Sequence, residues 1–200
     1  MRFVFLLCAM PLVAQTITYS KSFPGSVPAW VEIKVPESGE AEYRDDPKDD
    51  RAIRFSVTDA DRALLLAKAE TLGKFTRVLE SPAKVANMGM KTFRYEQGAE
   101  THEVKFNYSE DPEARLLSDW FESVIETEQS RLELENSARF EKLGVEKALL
   151  RVEILRDRKR LIAPEQFLPV LDKIIRNESY MHMARARASG LAEHIRGTVK

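Results

Sequence analysis

Between residues 15 and 108 the apolar side chains fall in short runs of alternating polarity, and from residue 111 to 197 they return almost wholly at helical spacing. The chain therefore divides near Ser109-Glu110-Asp111-Pro112. Val31, Ile33 and Val35 alternate with Glu32 and Lys34, Pro36-Glu37-Ser38-Gly39 supplies a turn, and Ala41 and Tyr43 alternate with charged neighbours. That spacing predicts a hairpin. Ile53, Phe55 and Val57 predict a third strand, and Thr58 with Asp61 resembles a capping box that opens a helix over Ala60 to Leu72, stopped by Gly73. A second hairpin is predicted for Lys91 to Glu96 and Thr101 to Tyr108, joined by Gln97-Gly98-Ala99-Glu100, with Phe93 and Tyr95 facing Val104, Phe106 and Tyr108. The order β-β-β-α-β-β, followed by a helical C-terminal region, predicts an α+β fold. Its antiparallel sheet has one face under helix and the other partly wet.

In the second half, Asp111 is placed to cap a helix and Pro112 to occupy its first position, where proline loses no needed donor. Leu117, Trp120, Phe121, Val124, Leu132 and Phe140 mark one face of a helix of about thirty residues, near 45 Å long. After Gly144, the positions Val145, Ala148, Leu149, Val152 and Leu155 make a second stripe. Pro164 and Pro169 punctuate a third segment with Phe167, Leu168, Leu171, Ile174 and Ile175, ended by Asn177. A last helix from about Glu178 to Ile195 turns Tyr180, Met183, Ala184, Leu191 and Ile195 inward.

The opening MRFVFLLCAMPLVAQ places one positive residue, Arg2, before an apolar run, and ends that run at the small Ala14. This is the pattern of a signal peptide over residues 1–14, and it predicts a secreted or periplasmic protein. Three segments follow: 1–14, a sheet region over 15–108 and a helical region over 111–200. Cys8 is the only cysteine and would leave with the signal, so the mature chain is expected to have neither disulfides, a thiol nucleophile nor a cysteine-ligated zinc. No apolar stretch of transmembrane length is expected in it.

Composition narrows the function classes. Of the 200 residues 44% are hydrophobic and 32% charged, with 31 Lys and Arg against 32 Asp and Glu, which is an ordinary globular balance. Near-neutrality gives no footprint of a nucleic-acid binder, so no nucleic-acid partner is expected. Walker A, Rossmann, G-x-S-x-G and H-E-x-x-H motifs do not occur. His182 and His194 are about 18 Å apart along a helix and cannot share an ion, while His102 at the hairpin end stands alone. The loop RDDPKDDR gathers Asp45, Asp46, Asp49 and Asp50, but it lacks calcium-loop spacing and reads as a solvated turn. Arg156, Lys159 and Arg160, with Arg151, Arg185 and Arg187, belong to a C-terminal excess of 11 basic over 6 acidic residues and read as a solvated helix face or an anion-binding surface. Asn87-Met88-Gly89-Met90 reads first as a bulge or turn and second as a ligand contact. Sequons occur at Asn107-Tyr108-Ser109 and Asn177-Glu178-Ser179. No catalytic, cofactor-binding or metal residue is assigned.

The arrangement FPGSVPAWVEIKVPESGEAEYR, then RFSVTDADRALLLAKAETLGKF, then MKTFRYEQGAETHEVKF resembles small exported bacterial domains of unknown function. The shared layout is hairpin, Ser/Thr-started helix, aromatic after the helix, hairpin. The resemblance covers residues 23–108, implies a fold and a compartment, and transfers no functional residue.

The function expected from these readings is that of an exported, non-catalytic binding or envelope-associated protein. A protein partner would meet it through a sheet edge or the C-terminal helices; Lys91, Arg94, Glu96, Glu103 and Lys105 are the charges expected to guard that edge. The alternatives are a small extracytoplasmic hydrolase using dispersed carboxylates, and a scaffold or dimer built on the long Trp120 helix.

Overall fold

The computed structural model describes residues 14–198, so the segment read as a signal peptide lies, but for Ala14, outside the described residues. The fold is α+β. A six-stranded antiparallel sheet combines β1 (Gln15–Ser22), β2 (Trp30–Pro36), β3 (Glu40–Arg44), β4 (Ile53–Ser56), β5 (Met90–Gln97) and β6 (Glu100–Phe106) in the order β4-β3-β2-β1-β5-β6. Both expected hairpins and the third strand are present. The expectation of five strands is corrected by β1, which occupies a central position between β2 and β5. Its outward side chains, Thr16, Thr18 and Ser20, are polar, so QTITYSKS shows only Ile17 and Tyr19 as apolar positions.

Those two positions place β1 in the core. Register aligns one row across all six strands, Ile53–Tyr43–Ile33–Tyr19–Phe93–Val104, and another across four, Val35–Ile17–Tyr95–His102. One sheet face is thus apolar and is roofed by helices; the other carries Thr18, Ser20, Glu32, Lys34, Thr92 and Arg94. On that outer face Glu32 pairs with Arg44 and Arg94 with Glu96, a polar finish that lets an antiparallel sheet face water.

Helix α1 (Asp59–Thr71) starts where expected, with the Thr58 hydroxyl accepting from the Asp61 amide at 3.1 Å. It buries Leu65 and Ala69, while Leu64 is exposed. Helix α2 (Pro112–Phe140) is capped by Asp111, whose carboxylate accepts from the amides of Glu113 at 2.8 Å and Ala114 at 3.2 Å. Its first half lies on the sheet. Phe121 stacks on Tyr19 with ring centroids 4.8 Å apart, and the Trp120 indole donates to Asp61 of α1 at 3.1 Å.

The second half of α2 belongs to another apolar cluster. Leu134 and Ala138 pack with α3 (Val145–Asp157), α4 (Leu168–Arg176) and α5 (His182–Thr198) around Leu149, Val152, Phe167, Leu171 and Leu191. The stripe expected on α3 is buried throughout. Two expected inward residues are not. Phe140 ends α2 beyond the bundle, with the Arg139 guanidinium over its ring, and Met183 sits exposed at the start of α5. Between the clusters Glu128 is 1% exposed, paired with Arg131 at 3.0 Å and accepting from Gln166 at 2.9 Å. Among the described residues no helix is long and apolar enough to cross a membrane.

Candidate functional site

Alternation on β1 runs Ile17, Tyr19, Lys21, and on β5 it runs Tyr95, Phe93, Lys91. Both series end in lysine on the core side of the sheet. The register sets the two lysines opposite each other, in the row Val31–Lys21–Lys91–Phe106, whose outer members are buried apolar residues. Like charges directly opposed on neighbouring strands repel, with Cβ atoms about 5 Å apart, so this row departs from what packing alone would select.

The first half of α2 determines what the lysines meet. One residue after Phe121, Glu122 accepts from Lys21 Nζ at 2.8 and 3.0 Å and from the Tyr19 hydroxyl at 2.9 Å. Burial beside this carboxylate pushes the Tyr19 phenol well above its ordinary range. Among the described residues, Lys91 has no carboxylate of its own. Its Nζ donates to the main-chain oxygen of Asn107 at 2.9 Å and weakly to that of Gly89 at 3.5 Å. Burial, and then the Lys21 charge, hold the Lys91 ammonium below the usual lysine value, against the opposing pull of Glu122 and Glu80.

These groups line a groove of about 720 Å³ between the end of the sheet and α2. Met88, Phe106, Tyr108, Pro112 and Leu116 give it apolar walls; Arg115 and Asp119 stand towards solvent. Asp119 is engaged by Arg160 at 2.7 Å. The segment before β5 forms one wall and is pinned by Asn107, which accepts from the Met88 amide at 2.6 Å and donates to the Ala86 carbonyl at 3.0 Å. Gly89 is required there twice over. Its φ is +90°, and an added Cβ would lie 2.9 Å from the Phe23 Cβ and 3.2 Å from the Lys21 Cε.

No protein-family model, curated protein or solved structure matches the chain.

Most of the sequence candidates fall apart from this groove, but Met88, Lys91 and the Asn107-Tyr108-Ser109 sequon line it. His102 lies opposite Tyr95 and 3.7 Å from Glu100, and His182 and His194 lie on α5. In the acidic loop Asp46 accepts from the Lys48 amide at 2.8 Å and Asp49 pairs with Arg51 at 3.0 Å. Among the described residues no group of three His, Cys, Asp or Glu could hold a metal ion. Of the C-terminal cations, Arg151, Arg156, Arg160 and Arg187 are paired with carboxylates of the chain. Arg160 bonds Glu126 at 2.5 Å as well as Asp119, Arg187 bonds Glu146 at 2.9 Å and also Glu153, and Arg151 bonds Glu133 at 2.8 Å.

Of Asn87-Met88-Gly89-Met90, the fold brings Met88 into the groove's lining, with Gly89 packed close to Phe23 and Lys21. Lys91, Arg94 and Glu96 guard no edge, because β5 is interior and the edges are β4 and β6. Lys21, Glu122 and Arg115 were not anticipated. The available signal was the lysine that closes each apolar alternation, and reading it required the pairing of strands distant in sequence.

Proposed function

We propose that the chain is an exported, non-catalytic binding protein and that the groove between β1, β5 and α2 is where it takes its ligand. The observation that carries this reading is the Lys21–Lys91 row: two adjacent cations on the core side of the sheet, at the floor of a groove with otherwise largely apolar walls. Small-ligand sites have this composition, a concave apolar surface with a few convergent polar groups, and a volume of roughly 300–1,000 Å³. Both Glu122 oxygens accept from Lys21, which suits a carboxylate that orients a cation better than one that moves protons. Export is supported by the apolar run before Ala14 and by the resemblance of residues 23–108 to exported domains.

The test uses a neutral fluorescent probe, N-phenyl-1-naphthylamine, titrated into the purified chain. Saturable binding of one probe per chain is expected. Leu116 is 57% exposed on the groove wall, so Leu116→Glu should leave the fold intact and abolish the signal. Absence of saturable binding, or binding indifferent to Leu116→Glu, would reject the groove as the site.

A further inference from the structure

The two lysines and Glu122 do not balance. Lys21 and Glu122 neutralise one another at 2.8 Å, and Lys91 is left with main-chain oxygens for partners. Glu80 is the other carboxylate that bears on Lys91, and it is turned to the Asn107 amide, whose nitrogen lies 2.5 Å from its oxygen. Among the described residues, the floor of the groove therefore holds two positive charges against the single negative charge of Glu122. A half-buried ammonium that repels its cross-strand neighbour weakens the empty protein, and an anion lying between the two Nζ atoms would relieve that repulsion.

Beyond the lysines the surface turns apolar. Phe106 lies beside Lys91 in the register, and Met88 and Leu116, 50% and 57% exposed, continue from it to the rim. A ligand that satisfies both parts has one anionic end and an apolar body. A single excess positive charge suits a monoanion better than a phosphate dianion.

Resting on the groove being the binding site, we infer that its ligand is an amphipathic monocarboxylate of the fatty-acid type, with the carboxylate between Lys21 and Lys91 and the chain along Phe106, Met88 and Leu116. Lys91 supplies the charge that selects the head group. Lys21, already held by Glu122, supplies a second donor.

Displacement of N-phenyl-1-naphthylamine from the purified chain by decanoate, decanol and decyl phosphate tests this. Decanoate is expected to compete about tenfold or more better than decanol, the effect of one charge-assisted contact. In Lys91→Met, which keeps the length and apolar stem, that preference should fall to about one while probe binding persists. Lys91→Arg should restore it. Equal competition by decanoate and decanol, or a preference that survives Lys91→Met, would overturn the inference and leave the groove intact as a site. Stronger competition by decyl phosphate would overturn the carboxylate assignment. Failure of the probe itself to bind would overturn both this inference and the reading beneath it.

Discussion

Lys21 and Lys91 face one another across the ladder between β1 and β5, on the side of the sheet where those strands otherwise present Ile17, Tyr19, Phe93 and Tyr95. A chain selected only for stability would place apolar residues there, as Val31 and Phe106 do at either end of the same row. The candidate site is thus marked by a local conflict between charge and packing.

Lys91→Met should therefore stabilise the unliganded protein at neutral pH, by a few tenths to about 1 kcal/mol, while it removes carboxylate selectivity. The ammonium is held below its unfolded value by burial and Lys21, so the unfolded chain keeps the proton to higher pH. Wild-type stability then rises with pH between the folded and unfolded values, and the advantage of the methionine variant shrinks across that alkaline window. Urea denaturation at a series of pH values checks both sign and trend; a variant less stable than wild type at neutral pH would contradict it.

Gly89→Ala should cost about 1–3 kcal/mol. Positive φ strains any side chain, and here the new Cβ also meets Phe23 and Lys21. Because Gly89 sits beside Lys21, probe affinity should fall together with the denaturation midpoint. An unchanged midpoint would show that the segment before β5 does not hold the wall.

Glu128 is almost wholly buried, and burial raises its pKa in spite of Arg131. Arg131→Met removes the compensating charge and should destabilise the chain by about 3–5 kcal/mol near neutrality. A carboxyl whose folded value lies above its unfolded value binds its proton more readily in the folded chain. Stability then falls as pH rises through that interval, so the variant's deficit should shrink on mild acidification. Thermal melts at descending pH test this, and a deficit that grows in acid would refute it.

Cleavage after Ala14 would leave β1 whole. The Gln15 nitrogen lies 3.1 Å from the Glu37 carboxylate, so the new ammonium would be created already paired. Amino-terminal sequencing of material recovered outside the cytoplasm should begin at Gln15. An intact Met1 on that material would contradict processing.

Much of the fold was legible because its signals are local. The Thr58 and Asp111 caps, the Gly98 hairpin and the stripe from Val145 to Leu155 each lie within one element or one turn. Strand β1 was obscured because it offers two apolar residues and follows an unbroken apolar run. Phe140 and Met183 keep helical phase but lie at helix ends, where phase does not ensure a covering neighbour. The site was harder still. Lys21 and Glu122 are 101 positions apart, and only the register of β1 against β5 and the seating of Phe121 on Tyr19 bring the lysines and the carboxylate together.

The most direct measurement is a titration of the labelled chain with decanoate, followed by NMR of its lysine, methionine and leucine side chains. Shifts should be largest at Lys21, Lys91, Met88 and Leu116 and should saturate with one midpoint. Shifts centred instead on a separate groove, lined by Val27, Leu132 and Phe140 among others, or scattered over all exposed lysines, would contradict the assignment of the site.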